Sequence, residues 1–540
     1  MYTGVMPSAL KLLVIGLDGA SYNLIDPLAE KGLLPNLSSV MSDGARGRLV
    51  STVPWQTPVA WTSYATGVNP GAHGIYGWWV PDTRSGELRT SSGRQVDQPR
   101  FWEVLSSSGQ RVGVVNIPMS YPARPVNGFW ISGFDGPFLC MEDDPLISYP
   151  LGLLPTLQSS GFDYRILPDR RHDEPAEDAA KRWKDVEDTR VKAVIALAKQ
   201  YEPHFLQVNI FITDHFAHRS RVGDRTLEIA YSAADQGVGE LLELATEDTT
   251  VLIVSDHGSQ PISHFILVHL WLQQLGILAF HPWVADEQVE CVANMLGESR
   301  EDLILQMRRE GPALRERLYE KVRSKYPGAN IGFTTIDWDQ TKAFCSSDYG
   351  QITLNRTRGK AAVKPSEENE ILKTLTAAFQ SLVDSETGEP LVAEIIPRST
   401  LYRGMHENSG PDLTPVLRDH SYYFCQVYSF YREGVKQVVC PVHEVVDPLT
   451  TGNLGDHHPY GILMARGPEV RRGQVADASI LDIAPTVLNH FGIQPLPHHE
   501  GTILRDLFGG RREDRPAPKF HEHLGQDALK HRLIELGYRI

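Results

Sequence analysis

Three stretches of this chain read as buried β-strands that run directly into acidic or histidine residues. Residues 11–17 (KLLVIGL) precede Asp18-Gly19, residues 204–211 (HFLQVNIF) lead into ITDHFAHRS, and residues 249–255 (TTVLIVS) precede Asp256-His257-Gly258. Continuous apolar runs of this length suit strands covered on both faces. The stretch after the first run, SYNLIDPLAEKGLLPNLSSVMSDGA, reads as helix, turn, second short helix and glycine stop. Residues 174–203 and 227–245 also have helical spacing. This alternation predicts an α/β fold with a mostly parallel sheet core flanked by helices. Ligands of open α/β sheets gather at the C-terminal ends of strands, where Asp18, Asp214, His218, Asp256 and His257 fall.

Residues 51–79 (STVPWQTPVAWTSYATGVNPGAHGIYGWW) are dense in hydroxyls, glycines and prolines. Thr57 directly precedes Pro58, so the spacing predicts a helix N-terminus at Thr57, where partial positive charge favours a phosphate or another anion. An ordinary Thr cap before a buried helix is the competing reading. Asp18 and Asp256 likewise have a plain alternative as caps of the turns that follow them.

Further along, residues 136–170 lack a clear period and are expected to form part of a cap or a long active-site loop. Residues 262–335 carry amphipathic helical stretches and residues 341–445 mix short strands and turns, after which the core pattern resumes at GILMARGPEV and ADASILDIAPTVLNHFG. The expected organisation is a discontinuous core (8–261 and 341–510), an inserted, mainly helical cap (262–340) and a polar tail (511–540).

The chain has 540 residues, enough for two to four domains. A formal net charge of -15 argues against a nucleic-acid groove or an anionic membrane surface as partner, but leaves a small anionic substrate open, because bound cations would reverse the local sign. The cysteines at 140, 291, 345, 425 and 440 form no close pairs, which suits a reducing compartment, and a cytoplasmic location is expected. The N-terminus has no basic leader and no run of eighteen apolar residues occurs, so neither a signal peptide nor a membrane span is expected. A homo-oligomer is compatible with the sequence.

A fourth segment, GNLGDHHPYG, adds Asp456, His457 and His458. Carboxylates and imidazoles suit zinc, manganese or iron, and three or four such donors per ion would accommodate two cations. That is the constellation expected of two-metal phosphoryl transfer.

The segments VIGLDGA, TPVAWTSYATGVNPGAHGIYG, ITDHFAHRS, VLIVSDHGS, GDHHPYGILMARGP and DIAPTVLNHFGI resemble, in order, those of the alkaline phosphatase superfamily, in its type I phosphodiesterase/nucleotide pyrophosphatase branch. The resemblance implies an alkaline-phosphatase-like core and hydrolysis of phosphate esters through a covalent phospho-enzyme. It implies Thr57 as the nucleophile, which also contacts the metals. It implies Asp18, Asp256 and His257 as ligands of one divalent ion, and Asp214, His218 and His457 as ligands of a second. Zinc is the first expectation, with manganese or iron accepting the same donors. The substrate expected is a small phosphorylated molecule, nucleotide-containing in some relatives.

Two departures bear on substrate class. The eukaryotic-type nucleotide pyrophosphatases carry a phosphate-donating Asn where this chain has Trp78, and Pro58 removes a backbone N–H after the nucleophile. Asn116, Lys11 or a cap residue is expected to replace them. Tyr76, Trp78 and Trp79 would either stack a base or sugar face or pack the cap. Asp456 would orient His457 or His458 through a ring N–H, and His458 would lie behind the ligands or contact substrate. Arg356, Arg358 and Lys360 would reach a substrate anion or form a solvated basic turn. Asn116 and Tyr121 would form a pocket wall. His406 and Glu407 would bind metal only if they approached the strand ends. The alternatives to a phosphodiesterase are a phosphomonoesterase using the same site and a non-catalytic metal-stabilised binding protein.

Overall fold

The computed structural model describes residues 10–81, 88–135, 144–168, 174–221, 223–279, 299, 336–384, 387–425, 437–442 and 454–508. The expected tail (511–540) and most of the expected cap lie outside these residues.

A ten-stranded sheet organises the chain. Its order is Gly473–Gln474, Ala45–Val50, Tyr460–Arg466, Thr250–Val254, Leu12–Leu17, Phe205–Ile210, Val112–Ile117, Gly128–Ser132 and Ser148–Tyr149, with Ala478–Ser479 also paired to Ala45–Val50. The five strands from Thr250–Val254 to Gly128–Ser132 run parallel. Tyr460–Arg466 and Ser148–Tyr149 run antiparallel to their neighbours. Alternate residues of the central strand bury into opposite layers, as the two-residue period requires. Leu13, Ile15 and Leu17 pack in one layer with residues of helices Tyr22–Glu30, Ala176–Tyr201 and Arg225–Leu242. Leu12 and Val14 pack in the other with residues of Thr57–Thr66, Phe101–Ser107 and Ile483–His490.

Helix Thr57–Thr66 is buried along its whole length and stops at Gly67, whose φ of 67° lets its N–H reach Ser63 O at 2.8 Å. It lies close on the sheet: a Cβ on Gly16 would come within 2.7 Å of the Trp61 ring. Beneath it, Tyr64 Oη donates to Gln207 Oε1 at 2.7 Å.

Residues 144–168 differ from the expected cap or loop. Ser148–Tyr149 is an edge strand of the central sheet, and Ile147, Leu154, Tyr164 and Ile166 are buried in its first apolar layer. The elements are too short for their apolar residues to show a period, which is why the sequence reads as a loop; residues 136–143 and 169–173 lie outside the described residues. A second antiparallel sheet orders Ala343–Cys345, Ile352–Leu354, Leu413–Leu417 and Val392–Pro397. Its residues share one apolar cluster with helix Pro365–Gln380 and with Ile266, Trp271 and Leu272. Residues of this sheet therefore pack against the start of the segment expected as cap. Among the described residues no helix is long and apolar enough to cross a membrane.

Candidate active site

The parallel strands deliver their polar ends to one place. Asp18 follows strand Leu12–Leu17 and its N–H donates to Ile210 O at 3.0 Å on the neighbouring strand. Gly19 then turns with φ 64°, and its N–H reaches Asp256 Oδ1 at 3.2 Å. Strand Phe205–Ile210 continues into helix Ile212–Ala217, which carries Asp214 in its first turn; His218 follows one turn later on the same face. Strand Gly258–Pro261, directly after Asp256 and His257, pairs with Gly455–His458 so that Ser259 opposes His457. This pairing brings His457 across nearly 200 residues of chain.

Two adjoining clusters result. In the first, His257 Nε2 lies 3.1 Å from Asp256 Oδ2 and 3.9 Å from Asp18 Oδ1, and Thr57 Oγ1 lies 3.2 Å from the same nitrogen. Thr57 is the first residue of its helix, but its hydroxyl caps nothing there and turns to this cluster instead. In the second, Asp214 Oδ1 stands 3.5 Å from Nε2 of both His218 and His457, and the two nitrogens face each other at 2.9 Å. The His257 and His457 rings stack with centroids 3.7 Å apart, joining the clusters.

The backing of the histidines selects the nitrogen that faces the site. Nδ1 of His257 lies 3.0 Å from Gly258 O, and Nδ1 of His218 lies 3.0 Å from Gly455 O. Nδ1 of His457 lies 2.7 Å from Tyr349 Oη and 3.1 Å from Trp55 O. Each Nδ1–H thus has an acceptor, and Nε2 is the nitrogen that faces the site. Asp18 is held in a similar way, accepting Trp61 Nε1–H on Oδ2 at 2.8 Å.

Electrostatics set the demand for cations. Asp18 Oδ1, Asp214 Oδ1 and Asp256 Oδ2 are buried without a hydrogen-bond partner among the described residues. Burial, reinforced by the charge of Asp214, pushes the Asp18 carboxyl well above the usual range, and burial with Asp18 and Asp214 does the same to Asp256. Burial works against a charged His218, yet Asp214 overrides it and raises the imidazole to about 9. Burial lowers His257 to about 4. Such carboxylates, with imidazoles that give up their proton as an ion binds, are the donor set of a divalent cation. Asp18, Asp256 and His257 each offer one ligand atom within 4.8 Å of one another, and so do two further sets: Asp214, His257 and His457, and His218, Asp456 and His457.

All seven residues singled out in the sequence as metal donors or nucleophile therefore meet here, and several others do not. Lys11 precedes the strand that Asp18 follows, so it lies at the far edge of the sheet, with its Nζ over the Phe491 ring. Arg356 is engaged by Asp412 and Glu368, Arg358 lies over Trp338, and Lys360 pairs with Asp339. His406 sits 3.8 Å from Asp97 and its carbonyl accepts the Tyr76 hydroxyl, while Glu407 begins the short turn that follows. Trp78 packs on Phe134, and Tyr121 donates to Asp144. His458 alternates to the other side of its strand and lies edge-on to His420. Asn116 is buried, accepting from Tyr164 Oη at 2.8 Å while its Nδ2 has no partner among the described residues.

Asp456 differs from the orienting role expected of it. Its Oδ1 accepts the backbone N–H of His457 at 2.6 Å, and its buried Oδ2 has no partner among the described residues. Tyr349 is the site residue the sequence did not single out. It stands in a turn, SSDYGQ, with no local pattern to mark it. Beside His457 and Trp55 opens a small cleft of about 30 Å³.

Residues 12–428 match the family described as type I phosphodiesterase / nucleotide pyrophosphatase. Two similar solved structures are of phosphonoacetate hydrolase from Sinorhizobium meliloti 1021, in complex with phosphonoformate and with phosphonoacetate. Each superposes with a TM-score of 0.52 at 15% identity, covering 88% of this chain and 94% of that one. No curated protein sequence gives a significant match.

Proposed function

Since the chain belongs to the type I phosphodiesterase / nucleotide pyrophosphatase family, we propose that this hydrolase is a divalent-cation-dependent phosphodiesterase that acts through Thr57. The observation that carries the reading is the position of Thr57 Oγ1, 3.2 Å from His257 Nε2 in a buried cluster with unpartnered carboxylate oxygens. Asp18, Thr57, Asp256 and His257 would hold one ion, and Asp214, His218 and His457 the other. Bound there, divalent cations, zinc first among them, lower the pKa of a hydroxyl and offset the charge gathering on phosphoryl oxygens.

The chain's own residues supply position. The helix that begins at Thr57 aims its N-terminus, and so partial positive charge, at the reacting phosphoryl group. Thr57 Oγ attacks phosphorus, the bond from phosphorus to the leaving oxygen breaks, and the leaving alcohol takes up the proton that the hydroxyl gives up. Water then cleaves the phospho-threonine and returns free Thr57. The family match favours a diester over a monoester as substrate.

The test compares wild type with Thr57→Ala on a nitrophenyl monoester, a nitrophenyl diester, a nucleotide-sugar and a dinucleotide. We expect metal-dependent turnover by wild type, strongest on a diester, and a loss of at least ~10³-fold in the variant. Equal rates for the two proteins would remove Thr57 from the mechanism.

A further inference from the structure

We infer that Asp456 is a fourth protein ligand of the second ion, beside Asp214, His218 and His457. The inference rests on the reading of the site as a two-cation hydrolytic centre.

Asp456 lies within reach of that ion. His218, Asp456 and His457 each offer one ligand atom within 4.8 Å of one another. Asp456 Oδ1 stands 3.9 Å from His457 Nε2, which lies 3.5 Å from Asp214 Oδ1 and 2.9 Å from His218 Nε2. Donors held at about 2.1 Å stand up to about 4.2 Å apart when they face each other across one ion. Asp456 therefore fits on the far side of the ion from the His457 imidazole. Its Oδ1 also accepts the His457 N–H at 2.6 Å, which folds the carboxylate back toward that ring.

The surrounding fold leaves this carboxylate unsatisfied. Asp456 is 6% exposed, and its Oδ2 has no hydrogen-bond partner among the described residues. Gln260 opposes it across the strand pair, but the Gln260 Nε2 is likewise without a partner among those residues. The ion contact Asp456 makes among the described residues is with His457, and no Lys or Arg pairs with it there. Its state is that of Asp18, Asp214 and Asp256, each with a buried, unpartnered carboxylate oxygen in the same site.

Charge balance points the same way. Asp18 and Asp256 bring two negative charges to the first ion. Asp214 brings one to the second, whose imidazoles bind as neutral donors. A buried divalent ion with a single carboxylate keeps an uncompensated charge in a medium of low dielectric, and Asp456 removes it. Burial holds the free Asp456 carboxyl up at about 7, the direction it also gives Asp18 and Asp256, and a bound cation drives the proton off.

The test uses the full chain, stripped with chelator and reloaded with Zn²⁺ or Mn²⁺. In a crystal of the zinc-loaded protein, anomalous scattering locates the ions, and we expect an Asp456 oxygen within about 2.2 Å of the second one. In solution, Asp456→Asn should weaken Mn²⁺ binding at that position by at least ~100-fold, beyond what loss of a backing group costs. Zn²⁺ should lose less, because Mn²⁺ depends more on oxygen donors and Zn²⁺ accepts imidazole. Gln260→Leu should leave both affinities unchanged. An Asp456 oxygen more than about 3 Å from an ion held by Asp214, His218 and His457 would overturn the inference and leave the two-cation reading standing. Equal losses for the two metals in Asp456→Asn, or the same loss in Gln260→Leu, would do so too. A zinc-loaded crystal with no ion between Asp214, His218 and His457 would overturn that reading, and the inference with it.

Discussion

The hydroxyl of Tyr349 lies 2.7 Å from Nδ1 of His457 and donates to the carbonyl of Trp55 at 2.9 Å. One side chain thereby ties three separate segments together. Tyr349 sits between two strands of the smaller sheet, Trp55 precedes the helix of Thr57, and His457 belongs to a strand paired beside Asp256 and His257. With Tyr349 donating to Trp55 O, its oxygen accepts from His457 Nδ1–H and turns Nε2 toward Asp214.

Tyr349→Phe removes that anchor and keeps the ring. Backing groups of this kind contribute ~10–100-fold in metal affinity. We expect the weaker of two zinc-binding steps to lose affinity by about that factor, with kcat falling and the tighter step unchanged. A titration monitored by metal content decides it. A variant that only melts earlier, with both binding steps intact, would make Tyr349 a packing residue.

Gly19 is a second lever on the same site. Its φ of +64° suits glycine, and a Cβ there would stand 2.5 Å from Asp214 Oδ1. Gly19→Ala should cost ~1–2 kcal/mol in urea unfolding from the left-handed backbone. It should lower kcat/KM by about 10²-fold, because a misplaced ligand group costs far more in rate than in stability. Retention of full activity would place Asp214 outside the working site.

Asp256→Asn should change sign with metal. Asp18, Asp214 and Asp256 converge in a buried space, so removing one charge from chelator-treated protein relieves repulsion and raises its melting temperature. In the presence of saturating zinc the order should invert, because wild type gains ~4 kcal/mol at a thousandfold excess over Kd and the variant gains less. Thermal melts with and without chelator read both signs. The same order under both conditions would argue against a cation held by Asp256.

His73 gives a pH dependence separate from the site. It is fully buried, with Nε2 2.9 Å from Ser63 Oγ and Nδ1 accepting from Ile75 N–H at 3.1 Å. Burial, with a smaller contribution from His406, lowers it from 6.5 to about 3. The unfolded chain binds a proton below pH 6.5 that the folded chain refuses. The stability His73 supports is therefore complete above that pH and is lost as pH falls, by roughly 1.4 kcal/mol per unit, or about 2 kcal/mol at pH 5. Denaturant unfolding of wild type and His73→Asn from pH 7 to 5 should show the steeper loss in wild type. Parallel curves would mean that His73 titrates normally.

Much of the site was legible because its parts are local. An apolar run ending in Asp18 or in Asp256-His257 can be read without knowing the fold, and so can the four-residue spacing of Asp214 and His218. Where several elements had to cooperate, reading failed. Ser148–Tyr149 is two residues long and becomes a strand only because Gly128–Ser132 presents an open edge. Arg356 looks like an anion ligand in sequence, but Asp412 and Glu368 engage it from 56 and 12 residues away.

The sequence alone determined which segments must be buried strands and which polar groups stand at their ends, because periods of 2 and 3.6 are written into neighbouring residues. Tertiary structure alone decided which of those groups meet. The register that sets Ser259 opposite His457, the aim of the Thr57 hydroxyl and the reach of Tyr349 to His457 each depend on packing between segments far apart in the chain. Contacts of that kind leave no periodic trace, since each is one side chain meeting another once, in a position set by the whole core.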